Sequence, residues 1–137
     1  MLTEMTLAQS LSHTATTGLA FVVVASATTW GTARAVRCLH QLELAGVDGS
    51  DLYLVMTRDG RGPIPVAARA RLRLLAAVVR HIVLVPHVVR WRYDAGDPPQ
   101  RSSRYDRAVE DLLRHLTSRQ STGTAAPPAD PSTGVEL

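Results

Sequence analysis

Three apolar runs, "LAFVVVAS" (19–26), "DLYLVMTRDG" (51–60) and "HIVLVP" (81–86), constrain the fold more than anything else in the sequence. They are rich in Val, Leu and Ile, and their apolar residues do not alternate with polar ones. A strand wetted on one face alternates; an unbroken run suits a strand covered on both faces, as in a parallel sheet between helices. Each run is followed by a stretch of helical spacing. In "WGTARAVRCLHQLELAG" (30–46), Ala33, Val36, Leu39, Leu42 and Leu44 form an apolar stripe, Thr28 or Thr29 can cap the start, and Gly46 is placed to end it. "PVAARARLRLLAAVVR" (65–80) opens on Pro65, a residue favoured in a helix's first turn. A short helix through "HVVRWRYDAG" precedes the break "DPPQ". "SSRYDRAVEDLLRHLTS" (102–118) then forms a last helix, capped by Ser102 or Ser103, with Val109, Leu112, Leu113 and Leu116 on its apolar side.

Strand and helix alternating three times predict an α/β fold, a small three-layer βαβαβα unit with a short parallel sheet. Three strands make an unusually small sheet of this kind, so one edge is expected to seek more sheet than these residues supply. Residues 1–18 are a weakly patterned N-terminal segment that can form a short helix, and 19–118 are the domain. Residues 119–137 are expected to be a disordered tail, because Pro, Gly, Ala, Ser and Thr cannot bury enough surface to offset their ordering entropy.

The chemistry is bounded by what is missing. All 15 basic residues are arginines, which with the many Ala and Val residues points to a GC-rich genome of the actinobacterial kind. Without lysine there is no Schiff base and no phosphate-binding G-x-x-x-x-G-K-[ST]. The lone Cys38 has no disulfide partner within the chain and fits a reducing compartment. The longest apolar run is about half the ~20 residues of a membrane-spanning helix, and no basic region precedes it as in a secretory signal. The expectation is a cytoplasmic protein without a membrane span.

The ends of the three runs, "VVVASATT", "LYLVMTRDG" and "IVLVPHVVRWRYDAG", have a further meaning when taken in order. The series resembles the C-terminal half of the MinD/ParA-type ATPases, the deviant Walker A (SIMIBI-class) branch of the P-loop NTPases. "ATTWGTARAVRCLHQL" is similar to the family's Thr-rich loop and the basic, Ala-rich helix behind it. "VMTRDG" is similar to a strand end beside the adenine, and "VLVPHVVRWRYDAGDPP" with "YDRAVEDLLRHL" to the last strand, break and terminal helix. The likeness covers roughly residues 19–118. It implies that Thr57, Arg58, Asp59, Pro86 and His87 form half of a nucleotide-base pocket. On the residues alone, Pro86 also reads simply as the end of a strand.

The family's phosphate loop, metal-binding carboxylate and signature lysine lie in its N-terminal half, whereas only about eighteen residues precede the first matched strand here. ATP hydrolysis depends on those parts, so no catalytic residue is expected, and ATP is a ligand only if a P-loop-bearing partner completes the site. The leading expectation is a non-catalytic relative, truncated or completed by such a partner or by self-association through its sheet edge. The resemblance connects it with plasmid or chromosome partitioning or protein positioning.

A second expectation comes from charge. Residues 58–92 carry eight arginines against Asp59 alone, with Trp91 and Tyr93 nearby. Arg61, Arg69, Arg73, Arg90 and Arg92 are candidate contacts for nonspecific DNA, another nucleic acid or an acidic protein. The spacing of Arg69, Arg71 and Arg73 instead scatters them around a helix, as ordinary solvated positions. His13, His40, His81, His87 and His115 fall at no metal-ligand spacing, and one cysteine cannot build a usual structural zinc site, so no metal is expected. Cys38 and His40, two apart on a helix, point away from each other and form no nucleophile pair. "GRG" (60–62) is too short for a phosphate fingerprint. Asp106, Glu110 and Asp111 among Arg104, Arg107 and Arg114 read as ordinary surface ion pairs.

Overall fold

The computed structural model describes residues 19–92 and 101–122, without the side chains of Arg90, Arg92 and residues 120–122. The expected N-terminal helix, Tyr93 and most of the tail lie outside these residues. The elements follow in the order β1 (Phe21–Ser26), α1 (Thr29–Leu44), β2 (Leu52–Thr57), α2 (Val66–Leu75), β3 (His81–Val85) and α3 (Ser103–Thr122). Short 3₁₀ turns at Gly49–Asp51 and Val89–Arg92 precede β2 and follow β3. The three strands form one parallel sheet in the order β1-β2-β3. The expected α/β unit is present.

Each strand steps one place along the sheet, so both crossovers run the same way and deliver α1 and α2 to one face. There Ala35, Leu39 and Leu42 of α1 and Leu75 of α2 bury with Leu52, Leu54 and Met56 of β2. On the opposite face, Val55, Val83 and Val85 pack against Tyr105, Ala108 and Leu112 of α3. The central strand β2 is therefore buried on both faces, which is why its sequence does not alternate.

The edge strand β1 departs from expectation. Its α1 face is covered, but Val22 is 40% and Val24 64% exposed on the other, because the only described helix on that side packs over β2 and β3. Unbroken apolar character here marks a strand that the described residues cover on one face only.

The helices bury only part of their predicted stripes. The buried residues of α1 are Gly31, Thr32, Ala35, Leu39 and Leu42, while Val36 and Leu44 face solvent. Thr28 is the cap, its hydroxyl accepting from the Gly31 amide at 2.9 Å. The helix ends in a Schellman arrangement. Gly46 adopts φ 91°, its amide donates to Glu43 O, and the Val47 amide donates to Leu42 O. Helix α2 stops at Leu75, five residues before the predicted limit, and a turn brings Arg80 N to Leu52 O at 2.8 Å. On α3, Tyr105, Ala108 and Leu112 face the sheet, whereas Leu113 is exposed. That helix runs to Thr122, past the expected boundary at 118, and Arg119 ion-pairs with Asp51 at the foot of β2. No helix among the described residues is long and apolar enough to cross a membrane.

Candidate functional site

The carboxyl ends of β2 and β3 open into a cavity of about 510 Å³ lined by Arg58, Gly60, Arg61, Pro86, His87, Val88, Val89, Ser102 and Arg104. Three pieces of chain meet there. Arg58 leaves β2 with its amide donating to Val85 O at 3.0 Å, which holds the two strand ends together. Pro86 then ends the ladder, since it has no N–H to extend it, and turns the chain so that His87 joins the wall. Ser102 and Arg104 come from the start of α3, whose N-terminal amides carry partial positive charge. The position obeys the general rule for open α/β sheets, which bind ligands beyond the carboxyl ends of their strands.

Of the five residues expected around a base, Arg58, Pro86 and His87 line this cavity. Thr57 and Asp59 do not. The Thr57 hydroxyl turns back to donate to Ala25 O at 3.3 Å, tying β2 to β1, and Asp59 faces solvent. The Arg58 guanidinium donates to the carbonyl of Gly62, which folds the 58–62 loop around it. Three arginines and a histidine, with no carboxylate among the described lining residues, suit an anionic group better than a neutral base.

The arginines expected on a nucleic-acid face divide. Arg61 belongs to the cavity. Arg69 and Arg73 are exposed one turn apart on α2. Arg71, between them, points to α1, where it donates to Thr29 O at 2.7 Å and reaches Thr32 Oγ1 at 3.4 Å; it fastens two helices together. The side chains of Arg90 and Arg92 lie outside the described set. Trp91 is not a free stacking platform, because its ring meets Tyr105 edge-on at 4.8 Å.

Two groupings escape sequence reasoning. Trp30 stands 68% exposed at the start of α1 with the Arg37 guanidinium 5.9 Å from its ring centre, and Arg34 and Gln41 continue the patch. Its signal was the four- and three-residue spacing of Trp30, Arg34 and Arg37. The second brings His81 of β3 against Asp111 and His115 of α3: His81 Nε2 lies 3.0 Å from Asp111 Oδ2. The hydrogen bond from His81, with the nearby His115 and Arg114, holds the Asp111 carboxyl below its ordinary pKa. Only the Asp111–His115 spacing of one helical turn was readable beforehand.

Cys38 is half-buried in α1, and burial raises its pKa, so it stays a protonated thiol. His40 instead lies 3.9 Å from Glu43 on the exposed side of the helix. Compared with known proteins, the chain matches no family model, no curated protein and no solved structure.

Proposed function

We propose that this chain is a non-catalytic α/β domain that holds a phosphate-bearing ligand in the cleft at the carboxyl ends of β2 and β3. The observation that carries this reading is the convergence of Arg58, Arg61, His87 and Arg104 on one cavity, with no carboxylate among its described lining residues. Guanidinium groups present forked donors that match phosphate oxygens, and the start of α3 adds its own partial charge. The described lining offers the phosphates charge but no metal-holding carboxylate, and the sequence contains no lysine, so binding without hydrolysis is the activity that fits.

The MinD/ParA resemblance makes the ligand a nucleotide and the chain one half of a larger site, in a role such as partitioning or protein positioning. Support for that extension comes from β1, whose outer edge has no partner strand among the described residues and whose second face exposes Val22 and Val24. A P-loop-bearing partner or a second copy adding strands there would cover both.

One observation favours a second reading, a small basic module for nucleic acid or an acidic protein. Trp30 with Arg34 and Arg37 combines an exposed ring with cations, the pairing that single-stranded nucleic acid uses. Calorimetric titration with ATP, AMP and pyrophosphate, alongside a short oligonucleotide, separates the two. The first reading expects the phosphate compounds to bind, and Arg58→Ala to weaken them roughly 10–100-fold, the loss of one charged hydrogen bond. The double variant Arg69→Ala/Arg73→Ala should bind as wild type. Oligonucleotide binding lost with Trp30→Ala, and unaffected by Arg58→Ala, would support the second reading instead.

A further inference from the structure

Opposite the cleft, at the amino-terminal end of β3, the fold gathers three metal-ligating side chains from two elements. His81 is the first residue of β3 and pairs in register with Tyr53, so it shares the α3-facing side of the sheet. Asp111 and His115 lie one turn apart on α3 and meet it there. The His81 and His115 rings stack with centroids 3.6 Å apart and an interplanar angle of 12°. His115 Nδ1 lies 2.8 Å from the Asp111 carbonyl and 3.5 Å from its Oδ1. One ligand atom from each residue falls within 4.8 Å of the other two. All three side chains are between a quarter and two-fifths exposed, so the cluster opens to solvent on one side.

We propose that His81, Asp111 and His115 form a binding site for a divalent transition-metal ion of the zinc class, clipping α3 to the sheet. Two imidazoles and a carboxylate are the N₂O donor set that zinc, cobalt and nickel accept. At bonds of about 2.0–2.2 Å, a tetrahedral ion holds its ligand atoms about 3.3–3.6 Å apart. The ion therefore draws the three donors inward from their 4.8 Å spread and turns the His115 ring out of its stack on His81, since each imidazole binds a metal in its own ring plane. The carbonyl of Asp111 beside His115 Nδ1 gives that ring the outer-shell support that metal-bound histidines have, leaving Nε2 as a donor. Solvent completes the coordination. Arg114, with Nη1 3.6 Å from Asp111 Oδ1, competes for the carboxylate and swings outward when the ion binds.

A clip here has a structural purpose. Helix α3 is held by a small apolar cluster, Val55, Val83 and Val85 against Tyr105, Ala108 and Leu112, so one added tie bears on its whole attachment. An ion that binds only the folded chain raises its stability in proportion to the logarithm of its concentration.

The test is calorimetric titration of the full chain with ZnCl₂, with thermal melts in the presence of Zn²⁺ or EDTA. Binding of one ion is expected, with a melting temperature that rises with Zn²⁺ and falls back with EDTA. His115→Gln and Asp111→Asn should each weaken binding by more than the roughly 10–100-fold that losing a supporting contact costs. His40→Gln and His87→Gln should leave it unchanged. Should a cluster variant fail to fold, Co²⁺ added to the wild type decides the matter. Visible bands of a nitrogen- and oxygen-ligated ion, together with perturbed His81 and His115 ring resonances, are expected. Zinc binding that survives His115→Gln, binding lost with His40→Gln or His87→Gln, or no binding at all would each overturn the proposal.

Discussion

Gly31 shows how strongly one position is fixed by its neighbours. A Cβ there would lie 2.2 Å from both the carbonyl oxygen and the hydroxyl of Ser26. The first turn of α1 passes directly over the end of β1, and the carbonyl is backbone that cannot step aside. Gly31→Ala is expected to lower unfolding free energy by about 1–3 kcal/mol, measured by urea denaturation. Thr28→Ala removes the cap of the same turn and should cost about 1 kcal/mol in the same assay. The cap could be read in the sequence, because Thr before a helical pattern is a local signal. The constraint on Gly31 could not, since it comes from a strand five residues back that folding brings into contact. Arg71 teaches the same lesson: its spacing from Arg69 and Arg73 says only that it faces elsewhere, and its target is the carbonyl of Thr29, 42 residues away.

Among the elements, strand existence was legible and helix orientation only in part. Runs such as "LYLVMT" have no alternation to misread, whereas the buried side of α3 is set by Tyr105, Ala108 and Leu112. A stripe of Val109, Leu112, Leu113 and Leu116 is more apolar on paper, but the face that meets the sheet is carried by an aromatic and, one turn beyond Asp111, by His115. The hold of α3 on β3 also has an acid dependence. The Asp111 carboxyl accepts from His81 and titrates below its unfolded value, so its contribution is fully present above that value and is lost as pH falls through the lower folded one. Unfolding free energy should decline as pH drops below about 4, the ordinary aspartate range. Asp111→Asn should flatten that limb when urea midpoints are followed from pH 6 to pH 3.

For the molecule as a whole, the sheet's two sides carry different expectations. Val24 and Val55 are register partners on adjacent strands and point the same way, yet one is 64% exposed and the other buried beneath α3. Val24→Glu should change stability by no more than about 0.5 kcal/mol, as surface substitutions do. Val55→Glu should abolish the cooperative urea transition, because it strands a charge in a dry interface. A large penalty at Val24 would mean that this face is already covered in solution. The three-layer order was legible in the sequence because alternation of strand and helix is a property of long segments. The basic cleft was legible only in part. Arg58, Pro86 and His87 were implied by the family resemblance, while Arg104 arrives from a helix that only the folded topology brings beside them.

The most direct test of phosphate binding in that cleft is an amide-resolved NMR titration of the chain with ATP. Saturable shifts are expected at Arg58, Gly60, Arg61, His87 and Val88, reproduced by pyrophosphate and needing roughly 10–100-fold more ligand in Arg58→Ala. Shifts confined to the Trp30–Arg37 face, or no saturable shift at millimolar ATP, would contradict phosphate binding in the cleft.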